Sequence, residues 1–283
     1  MADTPFLLVP LDGSKESEHA VPAACELGRA LGLTVRFIHA ARVAEGAWSV
    51  QDLDRARENF ASYVKDLTAR FNLACTSETV VVGWGPAAQE VLAASEGARF
   101  IVIASHGKGG FQAAFVGSVA DKVVRGARVP VLVIPAVGTP PALARRPIVV
   151  PLDGSKEAEH ALAVARELAG PLNTSLTLVR AFNIPPPAGV EFAYYPPDVG
   201  TALQEAAESY LAEVAQKGEH YVVVNGGPSS VVVDTVQRLD AGLVVMGSTG
   251  KGLAKRLALG STTDRVLHTL HRPVLVVPPE AGG

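Results

Sequence analysis

The stretch VPLDGSKESEHA at residues 9–20 returns as VPLDGSKEAEHA at residues 150–161, identical at eleven of twelve positions with an offset of 141. Late in each half the match resumes. Gly107-Lys108-Gly109 aligns with Gly250-Lys251-Gly252, and Gly117-Ser118 with Gly260-Ser261, now at an offset of 143. RVPVLVIP at 128–135 aligns with RPVLVVP at 272–278. Agreement in residue type and spacing at both ends means a tandem duplication of one domain, with a period far too long for a solenoid unit. The expected division is a first domain over 1–137, a linker over 138–146 that holds Pro140-Pro141, and a second domain over 147–283.

Each half alternates strand and helix signals. Phe6–Pro10 is a short apolar run, Ser14 is a candidate helix N-cap, and Ala20, Ala23, Ala24, Leu27 and Leu31 recur with helical spacing. Thr34–Ala40 reads as a second strand. Residues 51–71 read as a long helix with Leu53, Ala56, Phe60, Val64 and Leu67 on one side. Thr79–Val82 is a third strand, followed by a helix from Pro86 to about Glu96 with proline at its first position. Phe100–Ala104, a helix over Ser118–Arg128 and Val131–Ile134 complete the half, and half two repeats the order. Strands apolar at every position, separated by helices, imply a parallel sheet covered on both faces. Right-handed crossovers then make each half a doubly wound α/β domain of the Rossmann type.

Composition narrows the function classes. The chain has 283 residues, 48% of them apolar and 19% charged, which is enough to bury a core and excludes wholesale disorder. Lys+Arg is 25 against Asp+Glu 28, so the basic surplus of a dedicated nucleic-acid binder is absent. The longest uncharged run, 129–144, holds four prolines and a glycine and reads as no membrane span. Cys25 and Cys75 are too few for a disulfide framework or a zinc site and read as buried thiols in a reducing compartment. With no signal peptide visible, the expected location is the cytoplasm.

In doubly wound sheets ligands bind outside the carboxyl ends of strands, where the strand order reverses. Asp12 and Asp153 close the first strand of each half, each followed by Gly-Ser and a helix. After the fourth strand comes Ala104-Ser-His-Gly107 in half one and Gly247-Ser-Thr-Gly250 in half two. Nine residues then lead to Gly117-Ser118 and Gly260-Ser261, which open a helix. A glycine-bearing loop that ends at a helix N-terminus offers backbone N–H groups and the positive end of the dipole, which favour an anion and phosphate above all.

The pattern G-x-x-G, nine residues, G-[ST], together with the early aspartate, resembles the universal stress protein family over nearly the whole chain. The motif is complete in half two, whereas Ala104 replaces the first glycine in half one. The resemblance is to the ATP-binding branch, in which this loop holds ribose and phosphates. It implies strand order 3-2-1-4-5, dimers joined through the fifth strand, and an adenine–ribose pocket lined by the first aspartate and the residue ending strand two. The implied site in half two is Pro151, Asp153, Ala181, Met246, Gly247, Gly250, Lys251, Gly260, Ser261 and Thr262. In half one it is Pro10, Asp12, Ala40, Ala104, Gly107, Gly117 and Ser118. ATP is the expected cofactor, with Mg²⁺ carried by the phosphates, since no carboxylate cage is visible.

Blander readings stand beside these. Ser118-x-x-Asp121 and Ser261-x-x-Asp264 resemble capping boxes with Asp in place of Glu, and a serine there can simply start a helix. Asp12 and Asp153 suit turn chemistry as well as ligand binding. His19 and His160 lie beside Glu in the first helix, where packing or surface roles outweigh a ligand role. His106 faces Thr249 in the repeat, so no repeated catalytic histidine exists in that loop. Lys108 and Lys251, and in half two also Lys255 and Arg256, could screen phosphate or merely be solvated. The insert FNIPPPAGVEFAYYPPD at 182–198 reads as a stiff surface loop, with a lid over the adenine or a packing surface as sharper alternatives. No P-loop, H-E-x-x-H or G-x-S-x-G signature occurs.

The reading that results is an ATP-binding universal stress protein that acts as a nucleotide-responsive stress module. A slow ATPase or nucleotide-processing enzyme ranks below it, because Asp12 and Asp153 are the sole clear candidates for a general base. A ligand-free structural pseudo-dimer is the third possibility. Val131–Ile134 and Val274–Val277 are apolar edge strands by the implied order, so they are expected to cover each other as a pseudo-twofold pair within one chain, leaving other surfaces for a further homodimer.

Overall fold

A computed structural model describes residues 5–41, 50–71, 77–83, 86–106, 116–139, 142–183, 198–250 and 259–280. Half one runs β1 (Phe6–Pro10), α1 (Lys15–Glu18), α2 (Ala20–Leu31), β2 (Thr34–Ala41), α3 (Val50–Arg70), β3 (Ser77–Gly83), α4 (Ala87–Ala94), β4 (Ala98–Ala104), α5 (Ser118–Gly126) and β5 (Val131–Ile134). Half two runs β6 (Ile148–Pro151), α6 (Lys156–Ala169), β7 (Leu176–Phe182), α7 (Val199–Val214), β8 (His220–Asn225), α8 (Pro228–Arg238), β9 (Leu243–Gly247), α9 (Ser261–Thr269) and β10 (Val274–Val277).

All strands join one ten-stranded sheet in the order β3-β2-β1-β4-β5-β10-β9-β6-β7-β8. Within each half the order is 3-2-1-4-5 and every pairing is parallel, as expected from short, largely apolar strands separated by helices. The exception is the seam, where β5 and β10 pair antiparallel, with Leu132 opposite Leu275 and Val131 opposite Val276. Side chains alternate between the two faces of the sheet. Leu7 and Val9 belong to the apolar layer that includes residues of α2, α3, α6 and α7, whereas Phe6 and Leu8 belong to the layer that includes residues of α4, α5, α8 and α9. Each of these apolar layers contains residues of both halves. Among the described residues no helix is long and apolar enough to cross a membrane.

The first helix differs from its expected form in half one. It breaks at His19 into α1 and α2, while α6 runs on without interruption. Pro22 is the physical cause: it has no N–H for the Glu18 carbonyl, and its ring collides with that carbonyl. Half two carries Ala163 at the matching position. The last helix of half one also stops at Gly126, earlier than Arg128.

Residues 142–144 of the segment between the halves are held by both halves. Glu26 of α2 accepts from the backbone N–H groups of Leu143 (3.0 Å) and Ala144 (2.8 Å), and the Leu143 side chain is fully buried. A Cβ at Gly242 would lie 2.9 Å from the Ala142 carbonyl oxygen, so the segment also rests on half two. Across the seam Arg125 of α5 bonds Asp121 at 2.8 Å and Asp264 of α9 at 2.9 Å.

One ion pair is positioned to control acid stability. Arg166 of α6 donates in a fork to Glu219, Nε to Oε1 at 2.7 Å and Nη2 to Oε2 at 2.8 Å, and Glu219 also accepts from Gln216 N–H. The Arg166 hydrogen bond holds the Glu219 carboxyl below its ordinary value. A depressed folded-state pKa contributes stability that is complete above the unfolded value and disappears as pH falls through the folded one. Arg166→Met should therefore cost about 2–3 kcal/mol at neutral pH, with the deficit closing in strongly acid solution. Urea unfolding of both proteins at several pH values measures it, and a pH-independent deficit would contradict the assignment.

Candidate functional site

The sheet reverses its order between β6 and β9 in half two and between β1 and β4 in half one, and at each reversal the carboxyl edge opens into a cavity. The half-two cavity measures about 240 Å³ and the half-one cavity about 220 Å³.

Asp153 follows β6 at the mouth of the half-two cavity. Its Oδ1 accepts from Ser155 N–H at 2.9 Å and from the Ser155 hydroxyl at 2.5 Å. That hydroxyl in turn accepts from Ala158 N–H at 3.2 Å and caps α6. The turn requires Gly154 at φ +80°, a conformation that glycine adopts without strain. Asp12, Gly13 and Ser14 repeat the same bonds in half one, with Gly13 at φ +78°. Each aspartate thus orders the turn through Oδ1, as its sequence context suggested, and lines a cavity.

The serines after the closing glycines do not cap. Gly260 and Gly117 are the N-cap residues of α9 and α5, and Ser261 and Ser118 are the first helical residues. No side chain caps either helix among the described residues, so the capping boxes are not formed. Asp121 and Asp264 instead accept from Arg125. The loop is closed at its base by Gly260 N–H on the Ser248 carbonyl (2.8 Å) and by Gly117 N–H on the Ser105 carbonyl (2.6 Å). The Thr263 hydroxyl donates to the Gly247 carbonyl at 2.8 Å. The first-turn amides of α9 and α5 therefore border the cavities without a side-chain acceptor, and with the helix dipole they favour an anion.

The glycines matter for reasons of space. Gly247 does not take a left-handed conformation; a Cβ there would approach the backbone oxygens of Thr249 and Glu157 at 3.0 and 3.1 Å. A Cβ on Gly250 would come within 2.6 Å of Asp153 Oδ2, so the second loop glycine and the strand-one aspartate abut. At Gly260 a Cβ would make ordinary contacts at 3.5–3.6 Å. In half one Ala104 occupies the first position with its methyl buried.

Pro151, Asp153, Ala181, Met246, Gly247, Gly250, Gly260, Ser261 and Thr262 all line the half-two cavity. Pro10, Asp12, Ala40, Ala104, Gly117 and Ser118 all line that of half one. Gly107, Lys108, Lys251, Lys255, Arg256, Cys75 and residues 184–197 of the insert lie outside the described residues. His19, at the break between α1 and α2, and His160 of α6 line neither cavity, and His160 is 3.1 Å from Glu280. Sequence reasoning missed the wall that α8 contributes through Pro228, Val231 and Val232, and its counterpart Ala87 and Val91 in α4. The proline that opens each helix after the third strand was the available signal. It also missed a polar layer behind each aspartate. Tyr210 donates to Glu159 at 3.0 Å beneath the Arg180 guanidinium, and Tyr63 donates to Glu18, which Arg70 also bonds. Burial pushes both tyrosine hydroxyls up, so they stay neutral donors.

The cavity is chemically two-sided. Val179, Val231, Val232 and Met246 form an apolar wall; Asp153 and the start of α9 form a polar rim. The family model described as the universal stress protein family matches residues 7–135 and again residues 144–278. The chain belongs to the universal stress protein family. A universal stress protein of Mycobacterium tuberculosis is 33% identical over 294 residues, spanning 95% of this chain and 96% of the relative. One from Methanocaldococcus jannaschii is 30% identical over 140 residues, or 46% of this chain and 80% of its own. Two solved structures share the tandem fold. One from Pseudomonas aeruginosa has a TM-score of 0.72 at 19% identity, covering 99% of this chain and 95% of that one. The other, a universal stress protein from Archaeoglobus fulgidus, has a TM-score of 0.70 at 20% identity, covering 98% and 99%. The chain is thus two tandem universal stress protein domains in a stress-response family.

Proposed function

We propose that the half-two cavity binds ATP and that the chain acts as a nucleotide-responsive stress module in the cytoplasm. The observation that carries this reading is the meeting, in one cavity, of an apolar wall, a carboxylate at the end of the first strand and an uncapped helix N-terminus. A nucleotide has a flat apolar base, a sugar with hydroxyl donors and a phosphate tail, and these match the three in order. Gly247, Gly250 and Gly260 line the cavity on the side where the tail would approach backbone. Asp153 accepts from the ribose hydroxyls, and Mg²⁺ arrives with the phosphates and keeps its waters.

Turnover is slow or absent in this reading. Asp153 is the one carboxylate among the described residues of the cavity wall, and its Oδ1 is committed to the turn. The two halves act as a pseudo-dimer through β5 and β10, so a further homodimer would use other surfaces.

Calorimetric titration of the full chain with ATP tests the reading, supported by mass spectrometry of any nucleotide released from the purified protein. Half two is expected to bind more tightly than half one by about 1–2 kcal/mol, or roughly tenfold. Asp153→Ala should weaken the tight site by about ten- to a hundredfold, the worth of a hydrogen bond to a charged group. Phosphate release followed over hours against the same variant tests hydrolysis. No heat and no thermal shift with ATP would overturn the proposal.

A further inference from the structure

The two cavities are not chemical copies of each other. Where half two has Thr249, half one has His106, and both residues line their cavities. Where half two presents Thr262 and Thr263 on the first turn of α9, half one presents Val119 and Ala120 on α5. Half one has therefore exchanged three threonine hydroxyls for a titratable ring beside a helix N-terminus. The His106 backbone lies against the start of α5, where a Cβ at the N-cap Gly117 would be 3.6 Å from His106 Cα, and His106, Gly117 and Ser118 line the same cavity.

His106 Nδ1 lies 3.0 Å from the Ser105 hydroxyl oxygen, which accepts from Ala136 N–H at 3.1 Å. The serine hydrogen can serve Nδ1 of the neutral ring. After protonation Nδ1 donates and the hydroxyl turns, so both charge states keep the bond. The charged surroundings are mixed. Asp12, at the end of β1, shares the cavity and favours the imidazolium. Across a narrow groove stand His268 of α9 and His271 and Arg272 of the turn before β10, and the Arg272 cation and the α5 dipole oppose it. Burial holds the imidazole below its ordinary value. In the absence of an anion the ring is thus neutral near pH 7, and an arriving phosphate supplies the charge that raises its proton affinity.

We propose that half one is a second nucleotide-phosphate site whose binding takes up a proton at His106, so that the two halves respond over different pH ranges. This rests on the nucleotide reading of the cavities. Linkage sets the sign: affinity rises as pH falls, until His106 is protonated even without ligand, and the gain vanishes at alkaline pH.

The test is calorimetry of the full chain with ATP at about pH 5.5 and about pH 8, on the native protein and on Gly260→Val, which silences half two. The phosphates of ATP titrate in the same range and affect both sites, so half two is the internal reference. Relative to it, half one should tighten about tenfold at the lower pH, with proton uptake visible as a dependence of the heat on buffer ionisation enthalpy. His106→Gln should remove the pH response of half one and leave that of half two as it was. Thr249→His should confer such a response on half two. An unaltered half-one response in folded His106→Gln would overturn the proposal, as would binding at half two with none at half one at either pH. Absence of ATP binding at both halves would instead overturn the nucleotide reading beneath it.

Discussion

Gly260→Val should reduce ATP binding at half two by at least about a hundredfold, close to 3 kcal/mol, while the fold survives. The first added carbon fits, because a Cβ at Gly260 meets Ser248, Thr249 and Gly250 atoms at 3.5–3.6 Å and the backbone is ordinary for an N-cap at φ −64°. The two γ-carbons extend beyond it at the point where α9 begins and where a phosphate would meet the first-turn amides. The loss should exceed that from Asp153→Ala, since volume is filled rather than one bond removed. Thermal unfolding should move by only a few degrees. Gly250→Ala provides a contrast. Its Cβ would come within 2.6 Å of Asp153 Oδ2, so the carboxylate must turn and release the Ser155 bonds that hold the loop. That variant should lose both affinity and stability. A folded Gly260→Val protein with native ATP affinity would remove the glycine loop from the site.

The second large effect lies at the seam. Leu275→Ala should cost about 2–5 kcal/mol, the usual range for a fully buried leucine. Leu275 is 1% exposed, stands opposite the equally buried Leu132, and belongs to an apolar layer shared by both halves. Because the sheet and its layers are continuous across β5 and β10, the penalty should fall on both halves together. Urea unfolding followed by two probes, one in each half, should give coincident transitions in the native protein and in the variant. Leu132→Ala should cost a similar amount, and the double variant less than the sum, since the two side chains touch one another's space. Separated transitions in the native chain would show that the seam does not couple the halves.

The parts of this architecture that are legible in the sequence share a local origin. Apolar runs of four or five residues could be assigned to strands because burial on both sheet faces leaves no polar position in them, as in β5 and in Phe100–Ala104 of β4. The repeat told that the same order occurs twice. Asp-Gly-Ser marked the turn after the first strand because only short polar side chains and glycine satisfy it. One local signal was passed over: Pro22 breaks the first helix of half one for reasons visible in the chain itself.

What the sequence determined by itself is therefore the duplication, the α/β class, the edge of the sheet that carries the glycine loop, and part of each cavity wall. Hydrophobic period, turn chemistry and repeat spacing act over a few residues and can be read without knowing what lies opposite. Only the tertiary structure decided why each of those residues is needed. Gly247 is small because the Glu157 carbonyl of α6 approaches it, and Gly250 because Asp153 does. Tyr210 finds Glu159, and His106 faces His268, His271 and Arg272 of the other half, through strand order rather than through chain proximity. Those contacts arise where a parallel sheet brings distant loops to one edge, and steric demand and charge at such a place belong to neighbours that spacing along the chain does not identify.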